Sequence, residues 1–215
     1  MKYQKRVFTR AEIYAAIDKS PPRVKAMIAL LYLTGARISE LVGMESRQIP
    51  PVRVCDINEE EYAGAKFLVV RMPVIKRKRA VYKEIPLPLA DPLTHYVAAY
   101  ISGLPPAAPL FGMTRYGAWK VLKRVGINPH SLRHSRLTEL ASYFSYGQLY
   151  KFAGWRLEGA DEEYVHLGWR DYAPALLKAT EERAARKPQQ PRRRRGATLE
   201  ESAGRLVGKL APQPL

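Results

Sequence analysis

Apolar residues at helical spacing dominate the first part of the chain. The motif Thr9-x-x-Glu12 predicts the capped start of a helix that runs to about Lys19. Ser20-Pro21-Pro22 then indicates a stop and a restart, since proline suits the first turn of a helix. The next segment is strongly apolar, which predicts a buried helix that Thr34-Gly35 ends. Apolar residues recur at helical spacing in Ile38 to Val42 and predict a third helix.

The middle of the chain changes to a β pattern. Three runs are rich in Val, Ile, Phe and Tyr, which favour strands, and they cover Val52 to Val54, Lys66 to Met72 and Ala80 to Leu87. The basic residues Lys76-Arg77-Lys78-Arg79 separate the last two runs. This order predicts a small antiparallel sheet with a basic hairpin tip, inserted after the third helix.

The second half of the chain returns to helical spacing and ends in a charged tail. Helices are expected at about residues 91–102, 114–125, 130–144, 146–153 and 170–186. Residues 187–215 contain four consecutive arginines and are expected to be a disordered basic tail. The sequence therefore predicts one α+β domain over residues 1–186, mainly helical with a small antiparallel sheet.

Charge and composition narrow the choice of partners. The 215 residues are 47% hydrophobic, and 36 Lys and Arg against 20 Asp and Glu give a formal charge of +16. This excess is typical of domains that bind nucleic acid, although a basic solvated surface with a charged tail would also produce it. Cys55 is the only cysteine, so an internal disulfide and a cysteine-rich zinc site are excluded. The absence of an apolar leader and of a run of roughly 18 apolar residues predicts an intracellular protein without a membrane partner.

Four separated segments carry residues of the kinds that act on phosphate. They are Thr34 to Leu41 (TGARISEL), Lys76 to Arg79, His130 to His134 (HSLRH), and Gly154-Trp155 with Tyr164 nine residues later. In this order they resemble the catalytic domain of the tyrosine recombinase (phage integrase) family. Its pattern is Thr-Gly-x-Arg-x-Ser-Glu-Leu, a hairpin lysine, His-x-x-Arg, Gly-His/Trp and a later tyrosine. The resemblance covers about residues 8–180, and Trp155 with Tyr-Val-His-Leu from Tyr164 is most similar to archaeal and archaeal-virus integrases.

The resemblance implies DNA breaking and rejoining without metal, ATP or another cofactor. Tyr164 would attack a DNA phosphate and form a 3′-phosphotyrosyl link, leaving a free 5′ hydroxyl. Arg37 and Arg133 would hold the non-bridging phosphate oxygens, because guanidinium forks stay charged at any working pH. Lys76 or Lys78 would protonate the leaving oxygen, and the sequence leaves both lysines open for this role.

Other residues have supporting roles in the resemblance. His130 would assist proton transfer at the nucleophile, Trp155 would donate its indole N–H to the phosphate, and Glu40 would orient its neighbours. His134 is a second supporting candidate, either beside the site or as a cap. The residues expected to bind DNA phosphate without catalysis are Arg77, Arg79, Arg192, Arg193, Arg194 and Arg195.

Most of these assignments have a simpler alternative. Arg37 and Glu40 could be a helix-surface ion pair, which is worth about 0.2–0.5 kcal/mol. Tyr164 is one of 13 tyrosines, and Tyr150 and Tyr172 are the other candidates for the nucleophile. His166 fits a packing role better than a catalytic one. The hairpin lysines could touch phosphate without catalysis. The tryptophan of the Gly-Trp motif could be a packing residue of the core without a role at the phosphate.

The resemblance implies a site-specific recombinase or integrase that acts on double-stranded DNA as a homotetramer, and it leaves open an accessory DNA-bending protein. A chromosome-dimer resolving recombinase has the same chemistry, and type IB topoisomerases have related chemistry. The alternative from another class is a catalytically inactive or incomplete DNA-binding fragment. Full-length members carry a helical DNA-clamping domain before the catalytic one, whereas about eight residues precede the first predicted helix here. A truncated chain and a natural short form are both open, as are cleavage in cis and in trans.

Overall fold

The computed structural model describes residues 6–75, 81–155 and 167–185, and all of them belong to one unit that spans residues 1–185. The helices within these residues are α1 (Arg10–Asp18), α2 (Pro22–Thr34), α3 (Ile38–Val42), α4 (Pro92–Ile101), α5 (Arg115–Arg124), α6 (Pro129–Leu140), α7 (Tyr146–Ala153) and α8 (Trp169–Ala185). The strands are β1 (Ile57–Tyr62), β2 (Ala65–Pro73) and β3 (Tyr82–Pro88). The predicted α+β class, mainly helical with one small antiparallel sheet, is confirmed. Among the described residues, no helix combines the length and apolar character needed to cross a membrane.

The first helices begin and end where the sequence predicts. The Thr9 hydroxyl accepts the backbone N–H of Glu12, and the Glu12 carboxylate accepts that of Thr9, which completes a capping box for α1. α2 starts at Pro22 and ends at Thr34, and Gly35 caps it with a φ of 58°, which suits glycine. Because α2 is buried almost all round, it is the central helix of the core, and α1, α4 and α6 pack against it.

The sheet has the order β1-β2-β3, with both strand pairs antiparallel. Ala63 and Gly64 connect the first pair as a two-residue turn, and both have positive φ, 52° and 73°, as a type I′ hairpin requires. Alternate side chains of β2 face opposite sides, so that Leu68, Val70 and Met72 join the main core while Phe67 and Val69 pack with Trp169 of α8. One face of the sheet therefore points towards α2 and the central core.

The prediction of the first strand is wrong. Val52 to Val54 is not a strand, because its backbone pairs with the proline-rich loop: the N–H of Val54 donates to Ala108 and that of Leu110 to Val52, at 3.2 and 2.8 Å. The first strand is β1, where Glu59 to Glu61 are exposed. An edge strand with acidic side chains in water lacks the apolar alternation by which strands are recognised.

The later helices lie within one residue of their predicted ends, with one exception. The prediction for α6 is wrong at its carboxyl end, since the helix stops at Leu140 and not at residue 144. Phe144 follows a turn and packs against Phe152 and Tyr172, with ring centroids 5.3 and 5.7 Å apart. The apolar residues after Leu140 belong to the core without being helical, which the spacing alone did not distinguish.

A partly buried ionic cluster joins the last described helix to earlier ones. Arg183 of α8 lies 3.2 Å from Asp91 and 3.3 Å from Glu139. Arg10 of α1 donates to Asp91 at 2.8 Å, and Arg136 of α6 donates to Glu139 at 2.7 Å. Asp91 also caps α4 by accepting from its first turn. The cluster therefore fixes α8 relative to α1, α4 and α6.

Candidate active site

Arg37 and Glu40 lie at the start of α3, just after the end of α2. Arg37, two residues after Gly35, is the N-cap of α3, and Glu40 lies in the first turn of that helix. The Glu40 carboxylate accepts from the backbone N–H and from Nη1 of Arg37, both at 2.9 Å. Glu40 is completely buried, so the interpretation of the pair as a helix-surface ion pair is wrong.

The guanidinium of Arg133 reaches the same place from α6. Its Nη1 donates to the carbonyl of Gly35 and its Nη2 to that of Ala153, at 2.5 and 2.7 Å. Nη1 also lies 3.9 Å from Glu40. The side chain thus joins the ends of α2 and α7 to the start of α3. Burial, and then the nearby Arg37, lower the pKa of Arg133 to about 10, so it stays charged at neutral pH.

Lys83 on β3 is a third cation of the site, and the sequence analysis missed it. It pairs with Met72 across the sheet and shares the core-facing side of β3 with Ile85. Its Nζ donates to the carbonyl of Phe152 at 2.8 Å. Burial lowers the pKa of Lys83 to about 8; Glu40 opposes the shift and the two arginines add to it. The available signal was its position, since a lysine on the core-facing side of a strand is uncommon unless it is paired.

Among the described residues, the charges of this cluster do not balance. Arg37 and Arg133 lie 2.9 and 3.9 Å from the Glu40 carboxylate, which also acts electrostatically on Lys83, so these described side chains carry three positive charges and one negative charge. Like charges in a partly buried place repel strongly because the local dielectric constant is low. The lowered pKa values of Arg133 and Lys83 follow in part from this repulsion. A bound anion would relieve it, and planar guanidinium forks match the oxygens of a phosphate.

Three other predicted residues lie on α6 or directly after α7. His130 is exposed in the first turn of α6, one turn before Arg133, where Asn128 accepts its backbone N–H at 2.9 Å. Trp155 follows α7 and is 36% exposed, with its ring centroid 6.0 Å from Cζ of Arg133. His134 is partly buried beside Arg133 and takes no part in the contacts described above. The structure thus brings together Arg133 and Trp155, and places His130 on the same side of α6.

A cavity of about 390 Å³ opens beside these residues. Its lining includes three cations, Arg71, Lys83 and Lys151. It also includes Val81, Trp155 and Leu167, which adjoin in sequence the segments 76–80 and 156–166. Described residues that flank the two segments with the predicted lysines and the predicted nucleophile therefore line this cavity.

The remaining predicted residues lie outside the described residues: Lys76, Arg77, Lys78, Arg79, Tyr164, His166, Arg192, Arg193, Arg194 and Arg195. The choice between the two hairpin lysines stays open, and Tyr164 stays a prediction. Of the other candidate nucleophiles, Tyr172 is buried, and burial raises its pKa to about 12, which disfavours the reactive phenolate. Tyr150 packs edge-on against Trp155, with centroids 5.1 Å apart.

The outer face of α5 is a second candidate surface that the sequence analysis missed. Tyr116 and Trp119 are 63% and 39% exposed and stack with ring centroids 6.0 Å apart. The ammonium groups of Lys120 and Lys123 lie 5.2 and 4.9 Å from the centroids of these rings. The helix has four basic residues and no acidic residue, and it packs on α3. Exposed aromatic rings interleaved with cations are typical of nucleic-acid contact.

The chain is similar in sequence to tyrosine recombinases over more than half of its length, which supports the class that the motifs indicate. In particular, it is 32% identical to tyrosine recombinase XerC of Nitrobacter winogradskyi over 152 residues, which cover 63% of this chain and 43% of that protein. It is 31% identical to tyrosine recombinase XerD of Oceanobacillus iheyensis over 140 residues, or 55% of this chain and 41% of that protein. The chain thus spans about two fifths of the length of these relatives. No protein-family model matches the chain.

Proposed function

We propose that the chain belongs to the tyrosine recombinase family and is the catalytic domain of a site-specific recombinase or integrase that cleaves and rejoins double-stranded DNA. The observation that carries the proposal is the cluster in which Arg37 and Arg133 share the buried Glu40 carboxylate, with Lys83 within its electrostatic influence and no second carboxylate among the described residues of the cluster. A DNA phosphate supplies the missing negative charge. The similarity to XerC and XerD proteins supports the same class. The closer affinity to archaeal and archaeal-virus integrases stays a prediction from the Gly-Trp and Tyr-Val-His-Leu motifs.

Arg37 and Arg133 bind the non-bridging oxygens of the phosphate that is cleaved. Glu40 and two backbone carbonyls fix these guanidinium groups before DNA arrives, so little reorganisation is needed on binding. The transition state carries more negative charge than the phosphodiester. One fixed donor aimed at such charge is typically worth about 3–4 kcal/mol. Trp155 adds its indole N–H on the exposed side.

The reaction proceeds by displacement at phosphorus. The phenolic oxygen of Tyr164 attacks and loses its proton with the assistance of His130. The bond from phosphorus to the 5′ oxygen breaks, and Lys76 or Lys78 gives this oxygen a proton. The products are a 3′-phosphotyrosyl link and a free 5′ hydroxyl. Because the link retains the bond energy, attack by the 5′ hydroxyl of a second duplex rejoins the DNA without ATP.

Strand exchange between two duplexes needs several active sites, and we infer a homotetramer on DNA, with an accessory DNA-bending protein left open. The large positive charge of the chain supports binding to DNA. Integration and the resolution of chromosome dimers use the same chemistry. The DNA sites decide between these two roles.

The proposal is tested by covalent trapping on nicked DNA from the source genome. We expect the protein to give a shifted, protease-sensitive band on a denaturing gel. Tyr164→Phe should abolish the band and leave DNA binding unchanged, and the control Tyr150→Phe should retain the band. Salt-sensitive DNA binding without any band would overturn the proposal in favour of a DNA-binding fragment. A band that survives Tyr164→Phe would mean that another tyrosine is the nucleophile.

A further inference from the structure

Lys83 is a lysine on the core-facing side of a strand. It shares that side with Ile85 and Leu87, both of which are buried. The side chain is only partly buried, and its Nζ donates to the carbonyl of Phe152 in α7. The charged groups that face it are Glu40, Arg37 and Arg133. Lys83 therefore connects β3 to the carboxyl end of α7.

The carboxyl end of α7 shows what this bond does. The last four carbonyls of a helix have no partner within the helix. Those of Tyr150 and Lys151 accept from the backbone N–H groups of Trp155 and Gly154, at 2.9 and 3.0 Å. The other two accept from side chains: the carbonyl of Phe152 from Lys83, and that of Ala153 from Arg133. Two cations from β3 and α6 thus complete the end of α7.

The chain leaves α7 in direct contact with the base of the hairpin. Gly154 has a φ of 69°, and a Cβ at this position would lie 2.9 Å from Cγ1 of Val74. The N–H of Val74 in turn donates to the carbonyl of Val81 at 2.8 Å. Val74 and Val81, on either side of residues 76–80, and Gly154, near the end of the described residues before position 156, therefore meet at one junction. Lys83, two residues after Val81, forms a hydrogen bond across it.

We propose that Lys83 is a positioning residue, which ties β3 to the end of α7 and thereby fixes the backbone from which Trp155 and the segment carrying Tyr164 depart. This inference rests on the proposed function, because it assigns Lys83 to the same site. Lys83 acts through the Phe152 carbonyl and the α7 end, not through the reacting atoms. Its removal should affect the rate of the covalent step more than the affinity for DNA.

The test compares Lys83→Met, which has a similar length but no charge or donor, with Lys83→Arg and with the control Lys66→Met. Lys66 is an exposed lysine on β2. With saturating nicked DNA, we expect Lys83→Met to slow formation of the covalent product by roughly 10- to 100-fold, since a displacement of about 1 Å has that effect. Its Kd for DNA should stay within about threefold of the wild type. Lys83→Arg should recover at least part of the rate, and Lys66→Met should match the wild type.

A second readout does not depend on cleavage. Hydrogen–deuterium exchange of the amides of Gly154 and Trp155 should be about tenfold faster in Lys83→Met than in the wild type, because the end of α7 loses a partner. The inference would be overturned if Lys83→Met changed neither the rate of covalent product formation nor the exchange of these amides. It would also be overturned if the rate and the affinity for DNA fell equally, because Lys83 would then be a phosphate ligand. If the wild type formed no covalent product but amide exchange were faster in Lys83→Met, the proposed function would be overturned. The link from Lys83 to α7 would still be supported.

Discussion

Glu40 supplies the negative charge that Arg37, Lys83 and Arg133 share, and its side chain is completely buried. Glu40→Gln removes this charge and leaves cations close together in a place with little water. Removal of one partner from a buried ion pair typically costs about 3–5 kcal/mol. We therefore expect Glu40→Gln to lower the free energy of unfolding by roughly that amount in urea titrations. The control Glu59→Gln removes an exposed carboxylate and should change stability by at most about 1 kcal/mol.

Inorganic phosphate tests whether the stability lost in Glu40→Gln comes from charge imbalance or from altered packing. If Arg37 and Arg133 form an anion site, phosphate binds it and stabilises the folded state by mass action. The stability lost in Glu40→Gln should then be partly restored in phosphate buffer of equal ionic strength. An anion site would be contradicted if phosphate stabilised neither the wild type nor Glu40→Gln.

The pKa of Lys83 predicts how stability depends on pH. Its pKa in the folded protein, about 8, is lower than the ordinary value of 10.5, so the unfolded chain binds more protons at this residue between these values. Stability contributed by Lys83 therefore rises with pH across this window. From about pH 7.5 to about pH 9.5, we expect the free energy of unfolding of the wild type to gain on the order of 1 kcal/mol relative to Lys83→Met. Parallel pH profiles of the two proteins, measured by urea unfolding, would contradict the lowered pKa.

At the scale of elements, the contact between the end of α7 and the end of β2 depends on glycine. Gly154 has a φ of 69°, and a methyl group there would lie too close to Val74. The matched control is Gly126, which follows α5 with a φ of 78° and has open space around it. Alanine at either position adds about 1–2 kcal/mol for the left-handed backbone. We expect Gly154→Ala to cost more than Gly126→Ala, because it also displaces the hairpin base.

Thermal unfolding and covalent trapping together check this expectation. Gly126→Ala should lower the Tm but leave the rate of covalent product formation unchanged. Gly154→Ala should lower the Tm further and slow the covalent step, because the departure of the chain towards Tyr164 shifts. Equal behaviour of the two variants in both measurements would mean that contact with Val74 has no importance for the site.

The elements also show what the sequence could predict. The helix starts at Thr9 and Pro22 follow from local capping chemistry, which the sequence displays directly. β1 was missed because an acidic edge strand has no apolar alternation to display. Arg37 and Glu40 were found through a motif of neighbouring residues. Lys83 was missed because its partners come from α3, α6 and α7, and only the tertiary fold brings these helices to β3.

At the scale of the whole molecule, the proposed function makes net charge a main determinant of affinity for DNA. The formal charge of +16 includes the basic run Arg192 to Arg195. Each phosphate contact releases counterions, so log K falls with log salt by about 0.9 per contact on duplex DNA. Basic side chains that only contact DNA phosphates should change the slope of log K against log salt in proportion to their number. They should leave the rate of the chemical step unchanged.

Two neutralising variants of the full chain measure where this affinity arises. Replacing Arg192, Arg193, Arg194 and Arg195 together by Gln should reduce the salt slope by up to about 3.6, and Lys120→Gln with Lys123→Gln by up to about 1.8. The tail variant should retain the wild-type rate of covalent product formation on saturating DNA, because a phosphate-binding tail supplies affinity and no positioning. A lower rate at saturation would mean that the tail takes part in assembling the site. A slope unchanged by the α5 variant would exclude the outer face of α5 as a DNA contact, and the affinity of the body would then come from the cavity side.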